Sequence, residues 1–236
     1  MVKPVGSPST PAVTSTETKK TETKSEPKKE GATPDTAAVK KAAEGLGAAA
    51  AGAAKTMAGV QAAKLQQAAG IRTPSTAELK EIEAAINKGE KQKAIELTVK
   101  YYNIDVSYVK GMPKYNKDLS GEGVTRRYTK EVEIGDKAFQ FGGKTSPAWL
   151  ASSILHETVH AKQLTDKERL KNYDASEQTP HAVEVEAYDR EISEAGKTGL
   201  SGDMINNLKD RRKSEYDSLT ADNQKKIDKG DYYSVK

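Results

Sequence analysis

Leu155-His156-Glu157-Thr158-Val159-His160-Ala161 is the stretch from which the rest of this chain is read. It is an H-E-x-x-H run inside a segment of helical composition. Two histidines four residues apart project from one helix face, about one turn apart. Two neutral imidazoles at that separation can hold one Zn²⁺. Glu157 falls next round the helix, where a carboxylate can activate water at the metal instead of binding the metal itself. The chain has only three histidines in 236 residues, and two of them are here. Chance occurrence of the run is on the order of one in a few hundred. The plainer alternative is a pair of core histidines satisfied by backbone carbonyls. A buried helix has little other reason to line up two imidazoles and an acid.

The flanks fit a helix that carries a site. Ser146 reads as N-cap and Pro147 as the first helical residue. At about 100° per residue, Trp149, Ser153, His156, His160 and Gln163 share one face, while Leu150, Ile154, Leu155, Val159 and Ala161 cover most of the rest. The helix is expected to be mostly buried. Upstream, Ser75 or Thr76 caps a helix with Leu79, Ile82 and Ile86 that ends near Asn87-Lys88-Gly89, and a second helix runs to Tyr101-Tyr102. Residues 103–109 read as extended. Tyr128 to Ile134 reads as a strand, Gly135-Asp136 as a hairpin turn, and Lys137 to Phe141 as the partner strand.

Composition divides the chain. Residues 1–34 are rich in Ser, Thr, Pro, Lys and Glu and are expected to be a disordered tail. Residues 35–72 turn to Ala and Gly, which supports at most a fluctuating helix; a membrane-active segment is disfavoured because lysines cut its apolar runs short. Residues 73–236 form the folded domain. The single Trp, both Phe and all ten Tyr lie from Tyr101 onward. Residues 1–70 hold ten Lys and no Arg against six acids, which accounts for the whole formal +4. Those lysines are scattered among acids, so no nucleic-acid partner is expected. Without cysteine there is no disulfide, thiolate metal site or cysteine nucleophile. The start lacks the apolar core of a signal peptide, and no apolar run approaches the roughly 20 residues that span a bilayer. A soluble monomer, cytoplasmic as made, is the expectation. Any export would use another route, with the tail as the part a delivery machine reads.

A catalytic zinc usually takes three protein ligands and keeps one position open. Downstream, Asp166 to Lys171 reads as one or two helical turns. A helix capped at Thr179-Pro180 then runs to about Ala195-Gly196, followed by helices near 201–218 and from Thr220 to Gly230. The helix after Pro180 offers His181, Glu184, Glu186 and Asp189. His181, Val185, Tyr188, Ile192 and Ala195 read as its inward stripe. Glu184 lies about 60° from the centre of that stripe and Glu186 about 140° away, where an exposed pair with Arg190 is expected. Glu184 is the expected third ligand.

His156-Glu157-x-x-His160 followed by Glu184-x-x-Ala187 resembles the gluzincin class of zinc metallopeptidases, whose third ligand is a glutamate on a downstream helix. The resemblance covers Gly135 to Ala195. It implies an α+β, mainly helical zincin-like domain with a short antiparallel hairpin or sheet before the active-site helix. It also implies Zn²⁺ as cofactor, a peptide or protein as substrate, and Glu157 as general base. Lys137 to Phe141 would run along the substrate. The family often has an acid after E-x-x-A to orient a ligand histidine; Tyr188 stands there instead, and Asp189 reads as facing outward. His181 and Tyr188 are the candidate oxyanion donors, with Tyr173 a looser one. A small domain behind a long lead also looks like bacterial metallopeptidase toxins and injected effectors. The rival reading is a non-catalytic zincin-like cargo or structural protein of an injection or export apparatus; Glu157 argues against it, since zinc binding alone does not need that carboxylate.

Overall fold

The computed structural model describes residues 70–235. The readings for the tail and for the Ala/Gly-rich segment lie outside these residues, apart from residues 70–72. Ile71 already packs in the core and the Arg72 N–H bonds the Tyr102 carbonyl at 3.0 Å. The chain is mixed α and β and mainly helical. Helices α1 (Thr76–Asn87) and α2 (Lys91–Tyr102) form an antiparallel pair. Ser75 caps α1 through a reciprocal box with Glu78. Asn103, at φ 55, stops α2 in the left-handed conformation that Asn tolerates.

A small sheet follows: β1 (Lys114–Tyr115), β2 (Gly123–Thr125) and β3 (Val132–Ile134), in the order β1-β3-β2. β3 is central, parallel to β1 and antiparallel to β2. This corrects the hairpin expected at Gly135-Asp136. β3 meets β2 across a turn closed by the Arg126 N–H on the Glu131 carbonyl at 2.8 Å, with Lys130 at φ 58. The expected strand start, Tyr128, is 86% exposed on that turn. Gly135 is extended (φ −92, ψ 173), and glycine fits there because a Cβ would collide with the Gly121 carbonyl. Asp136–Phe139 is a 3-10 turn that buries Ala138 and Phe139. Only Gln140–Phe141 (β4) is strand, and it pairs with Lys144–Thr145 (β5) through Gly142-Gly143, both at positive φ.

The long helix α3 (Pro147–Gln163) starts as expected: the Ser146 hydroxyl accepts the Trp149 N–H at 3.1 Å and Pro147 takes the first position. It is buried along most of its length. Five more helices complete the described chain: α4 (Lys167–Ala175), α5 (Gln178–Ser193), α6 (Ala195–Thr198), α7 (Gly202–Asp217) and α8 (Ala221–Ile227). α4 is longer than the expected one or two turns and is capped by Asp166. α5 begins two residues before Pro180 and ends at Ser193. Pro180 is tolerated in its first turn, where no intrahelical N–H partner exists.

Three apolar clusters hold these elements. The first joins α1, α2, β3, the 3-10 turn and α3, with Ile82, Ile95, Ile134, Leu150 and Ile154 fully buried. Each such side chain contributes roughly 1.5–3 kcal/mol of transfer free energy. The second gathers Ala182 and Val185 of α5 with Leu219, Ile227 and Val235. The third sets Trp149 against Ala195, Leu200 and Leu208. α5 packs on α3, α4 and α7, so nearly its whole circumference is covered. Among the described residues no helix is long and apolar enough to cross a membrane.

Candidate metal centre

α3 and α5 pack together so that three side chains able to bind a metal converge. His156 Nε2 and His160 Nε2 lie 2.9 Å apart, one helical turn separating their residues on α3. Glu184, from α5, brings Oε2 to 3.2 Å from His156 Nε2 and Oε1 to 3.2 Å from His160 Nε2. Ligands about 2.0–2.1 Å from a tetrahedral zinc stand about 3.3–3.4 Å from one another, close to this spacing. Both imidazoles are largely buried and the Glu184 side chain is 34% exposed, which leaves one side of the group open. The three residues form a group that could hold a metal ion.

The far nitrogens of both rings are held. His156 Nδ1 lies 2.7 Å from Glu191 Oε1, and Glu191, itself 3% exposed, also accepts a hydrogen bond from Ser152. His160 Nδ1 lies 2.8 Å from Gln163 Oε1. With both Nδ1–H groups donated outward, the neutral form of each ring would carry its Nε2 lone pair inward. Two such lone pairs and a carboxylate would then face one another, an arrangement that either a proton on an imidazole or a bound metal ion satisfies. Without a metal, electrostatics favours the proton. Burial by itself would lower the His156 pKa, but the charge of Glu191 and the hydrogen bond to Glu184 outweigh it and hold the imidazolium well above the usual range. Burial would likewise raise Glu184, but its bonds to His156 and His160 pull it far below the usual carboxylate range.

Glu157 stands beside this group, buried to 7% exposure, and does not join it. The Thr125 hydroxyl of β2 lies 2.7 Å from Glu157 Oε2 and 2.8 Å from its backbone oxygen, with one proton to share. Gly123 lets the strand lie flat on the side chain: a Cβ there would stand 2.6 Å from Glu157 Cγ and 2.7 Å from Oε1. The strand beside the site is therefore β2, not Lys137–Phe141, which folds into the 3-10 turn and the short β4. β2 pairs only with β3 among the described residues, so its other side is an open strand edge.

The remaining expectations divide. Tyr188 lines the cleft, its ring centroid 4.9 Å from that of His156, and burial raises its hydroxyl pKa. Tyr173 lines the cleft too. His181 does not: its Nδ1 is 2.7 Å from Glu215 on α7. The inward phase assigned to it presupposed one buried face, and α5 has several. Glu186 is not paired with Arg190. Its Oε2 lies 2.5 Å from Arg169 Nη1 and accepts from Gln163 Nε2 at 2.8 Å, while Arg190 pairs with Glu194. Asp189 is not free in solvent either, taking two bonds from Arg212 and one from the Tyr232 hydroxyl. The acid that holds the His156 ring is Glu191, seven residues after Glu184. Two turns bring it back to the same face, a signal present in the sequence. Nothing local pointed to Gly123, Thr125 or Arg211, whose guanidinium bonds both Glu122 oxygens at 2.7 and 2.9 Å and whose pKa that carboxylate raises.

His156, Glu157, His160, Glu184, Tyr188 and Arg211 all line one cleft of about 390 Å³. No protein-family model matches the chain, and no curated protein or solved structure is significantly similar to it.

Proposed function

We propose that this chain is a zinc-dependent endopeptidase. The observation that carries the reading is the convergence of His156 Nε2, His160 Nε2 and the Glu184 carboxylate within 3.2 Å, beside a buried carboxylate that takes no part in it. The donor set suits zinc: two imidazoles, one carboxylate and an open side. Bound there, the ion supplies Lewis acidity, polarising a carbonyl and lowering the pKa of water.

The chain's own residues do the rest. Glu157, with Oε2 fixed by Thr125, takes the proton from water as its oxygen bonds to the scissile carbonyl carbon. As the C–N bond breaks, Glu157 returns that proton to the leaving amine. Negative charge developing on the carbonyl oxygen calls for a donor in a water-poor site. Tyr188 and Arg211, both in the wall of the cleft, are the proposed donors, with Arg211 held by Glu122. An extended peptide can add to the open edge of β2, placing its backbone alongside Glu157.

The test is metal content of purified protein together with mass-spectrometric cleavage of a peptide library by wild type and Glu157→Gln. The expected result is about one zinc per chain in both, with cleavage by wild type alone. Wild-type protein that takes up no zinc on titration, or equal cleavage by both proteins, overturns the proposal.

A further inference from the structure

We propose that Glu186 and Arg169, neither of which touches the metal group, are positioning residues that decide which nitrogen of His160 faces it. This rests on the metal-site reading above and extends it. His156 has its ring fixed directly by a carboxylate, Glu191. His160 has only an amide. A glutamine side chain carries an acceptor at one end and a donor at the other. With Oε1 toward His160 Nδ1, the ring proton sits on Nδ1 and Nε2 keeps its lone pair. With the amide turned over, the NH₂ would face Nδ1, the ring proton would move to Nε2, and ligation would fail.

What holds the amide is on its far side. Gln163 Nε2 donates to the Val183 carbonyl at 3.0 Å and to Glu186 Oε2 at 2.8 Å. Both partners only accept, so a reversed amide would press its oxygen against a carbonyl and a carboxylate in a buried place. Glu186 is itself pinned, with Arg169 Nη1 2.5 Å from the same Oε2. Arg169 is 3% exposed, and none of its guanidinium nitrogens makes a hydrogen bond of good geometry. Its other neighbour is the Tyr233 ring, 4.6 Å away. A buried guanidinium so poorly supplied with acceptors is a costly way to stabilise a fold. Its place here is explained by the carboxylate it holds. The chain Arg169–Glu186–Gln163–His160 thus carries orientation from α4 through α5 to the cleft.

The experiment is a double-mutant cycle on zinc affinity, read by chelator competition with the full chain. Gln163→Leu is expected to weaken zinc 10–100-fold, the range for groups that orient a ligand histidine. Glu186→Ala and Arg169→Met are expected to weaken it about tenfold each. The Gln163→Leu/Glu186→Ala double variant should be no worse than Gln163→Leu alone, because Glu186 acts only through that amide. Glu186→Gln, which keeps an acceptor oxygen, should restore wild-type affinity within about threefold. Losses that simply add, or single variants that bind like wild type, overturn the proposal. A second measurement needs neither zinc nor a variant. With three histidines in the chain, imidazole ¹⁵N shifts of metal-free wild type report the His160 tautomer directly. Neutral His160 protonated on Nδ1 supports the chain, and protonation on Nε2 sinks it even if the protein proves to be a zinc peptidase. Failure of wild type to bind zinc would instead count against the enzyme reading, with the tautomer still deciding this one.

Discussion

Replacing Gly123 by alanine adds one methyl group at the point where β2 lies on Glu157. That methyl would stand 2.6 Å from Cγ, 2.7 Å from Oε1 and 2.9 Å from Cδ of the glutamate. Carbon atoms in ordinary contact are about 3.5–4.0 Å apart, so strand and side chain must separate by about 1 Å. Gly123 has no positive φ, so alanine costs nothing in backbone conformation and the whole effect is steric. Overpacking of this kind typically costs about 1–3 kcal/mol of stability. On the proposed peptidase reading the larger effect falls on the reaction, because a carboxylate misplaced by about 1 Å loses on the order of 10²-fold in rate. That corresponds to about 2.7 kcal/mol of barrier. Zinc affinity should not change, since the atoms nearest the added methyl all belong to Glu157, which is outside the candidate ligand set. The assay is kcat/KM on a peptide that wild type cleaves, with metal content and melting temperature measured on the same preparations. A Gly123→Ala protein that melts a few degrees lower but cleaves at the wild-type rate would show that Glu157 is not placed by β2.

Three further outcomes are expected. Glu184→Gln should weaken zinc by orders of magnitude in chelator competition, because a neutral amide replaces the one charged ligand; unchanged affinity would remove Glu184 from the site. Glu191→Gln should cost 10–100-fold in zinc affinity by removing the carboxylate on His156 Nδ1, and a loss below threefold would argue against that role. Acid should also act through the sheet. The Arg126 guanidinium, aided by Asn116, holds the Glu133 carboxyl down to about 2 from its usual 4.5. A depressed carboxylate contributes stability above its unfolded pKa and loses it as pH falls from about 4.5 toward 2. Wild type should therefore lose its melting-temperature advantage over Glu133→Gln across that window, and parallel melting curves would refute the assignment.

The parts of the site that the sequence made legible are those governed by helical spacing. His156, Glu157 and His160 sit within five residues of one another, so the geometry of one helix fixes their relation. Glu184 was reachable because a single phase argument separates it from Glu186 on the same helix. The same arithmetic reaches Glu191, two turns beyond, but only for a reader who looks past the position where the resembling family keeps its acid. His181 fails for a different reason: an inward stripe is informative on a helix with one covered face, and α5 packs on three neighbours. The brace on Glu157 was out of reach. Thr125 meets it across 32 residues of chain, from a strand too short to show any alternation. Gly135 illustrates the same difficulty in the fold. A glycine before an aspartate reads as a turn, whereas here it is a place where two backbones pass too closely for a side chain.

The two sides of the candidate metal group are anchored mainly in different apolar clusters, with Trp149 of α3 and Tyr188 and Ile192 of α5 meeting in the third. α3, which carries both histidines, is anchored by Leu150, Ile154 and Leu155 in the first cluster, while α5 is anchored beside Glu184 by Ala182 and Val185 in the second. A cation held by His156, His160 and Glu184 would therefore act as a rivet across a seam. Its binding free energy is added to the work of prising the clusters apart. Stripped of metal, that seam keeps only the contacts of His156 and His160 with Glu184, which a proton can bridge less strongly than a metal ion. Denaturant should then open α5 and the C-terminal helices before the α1–α3 cluster gives way. With metal bound, both should unfold in a single transition.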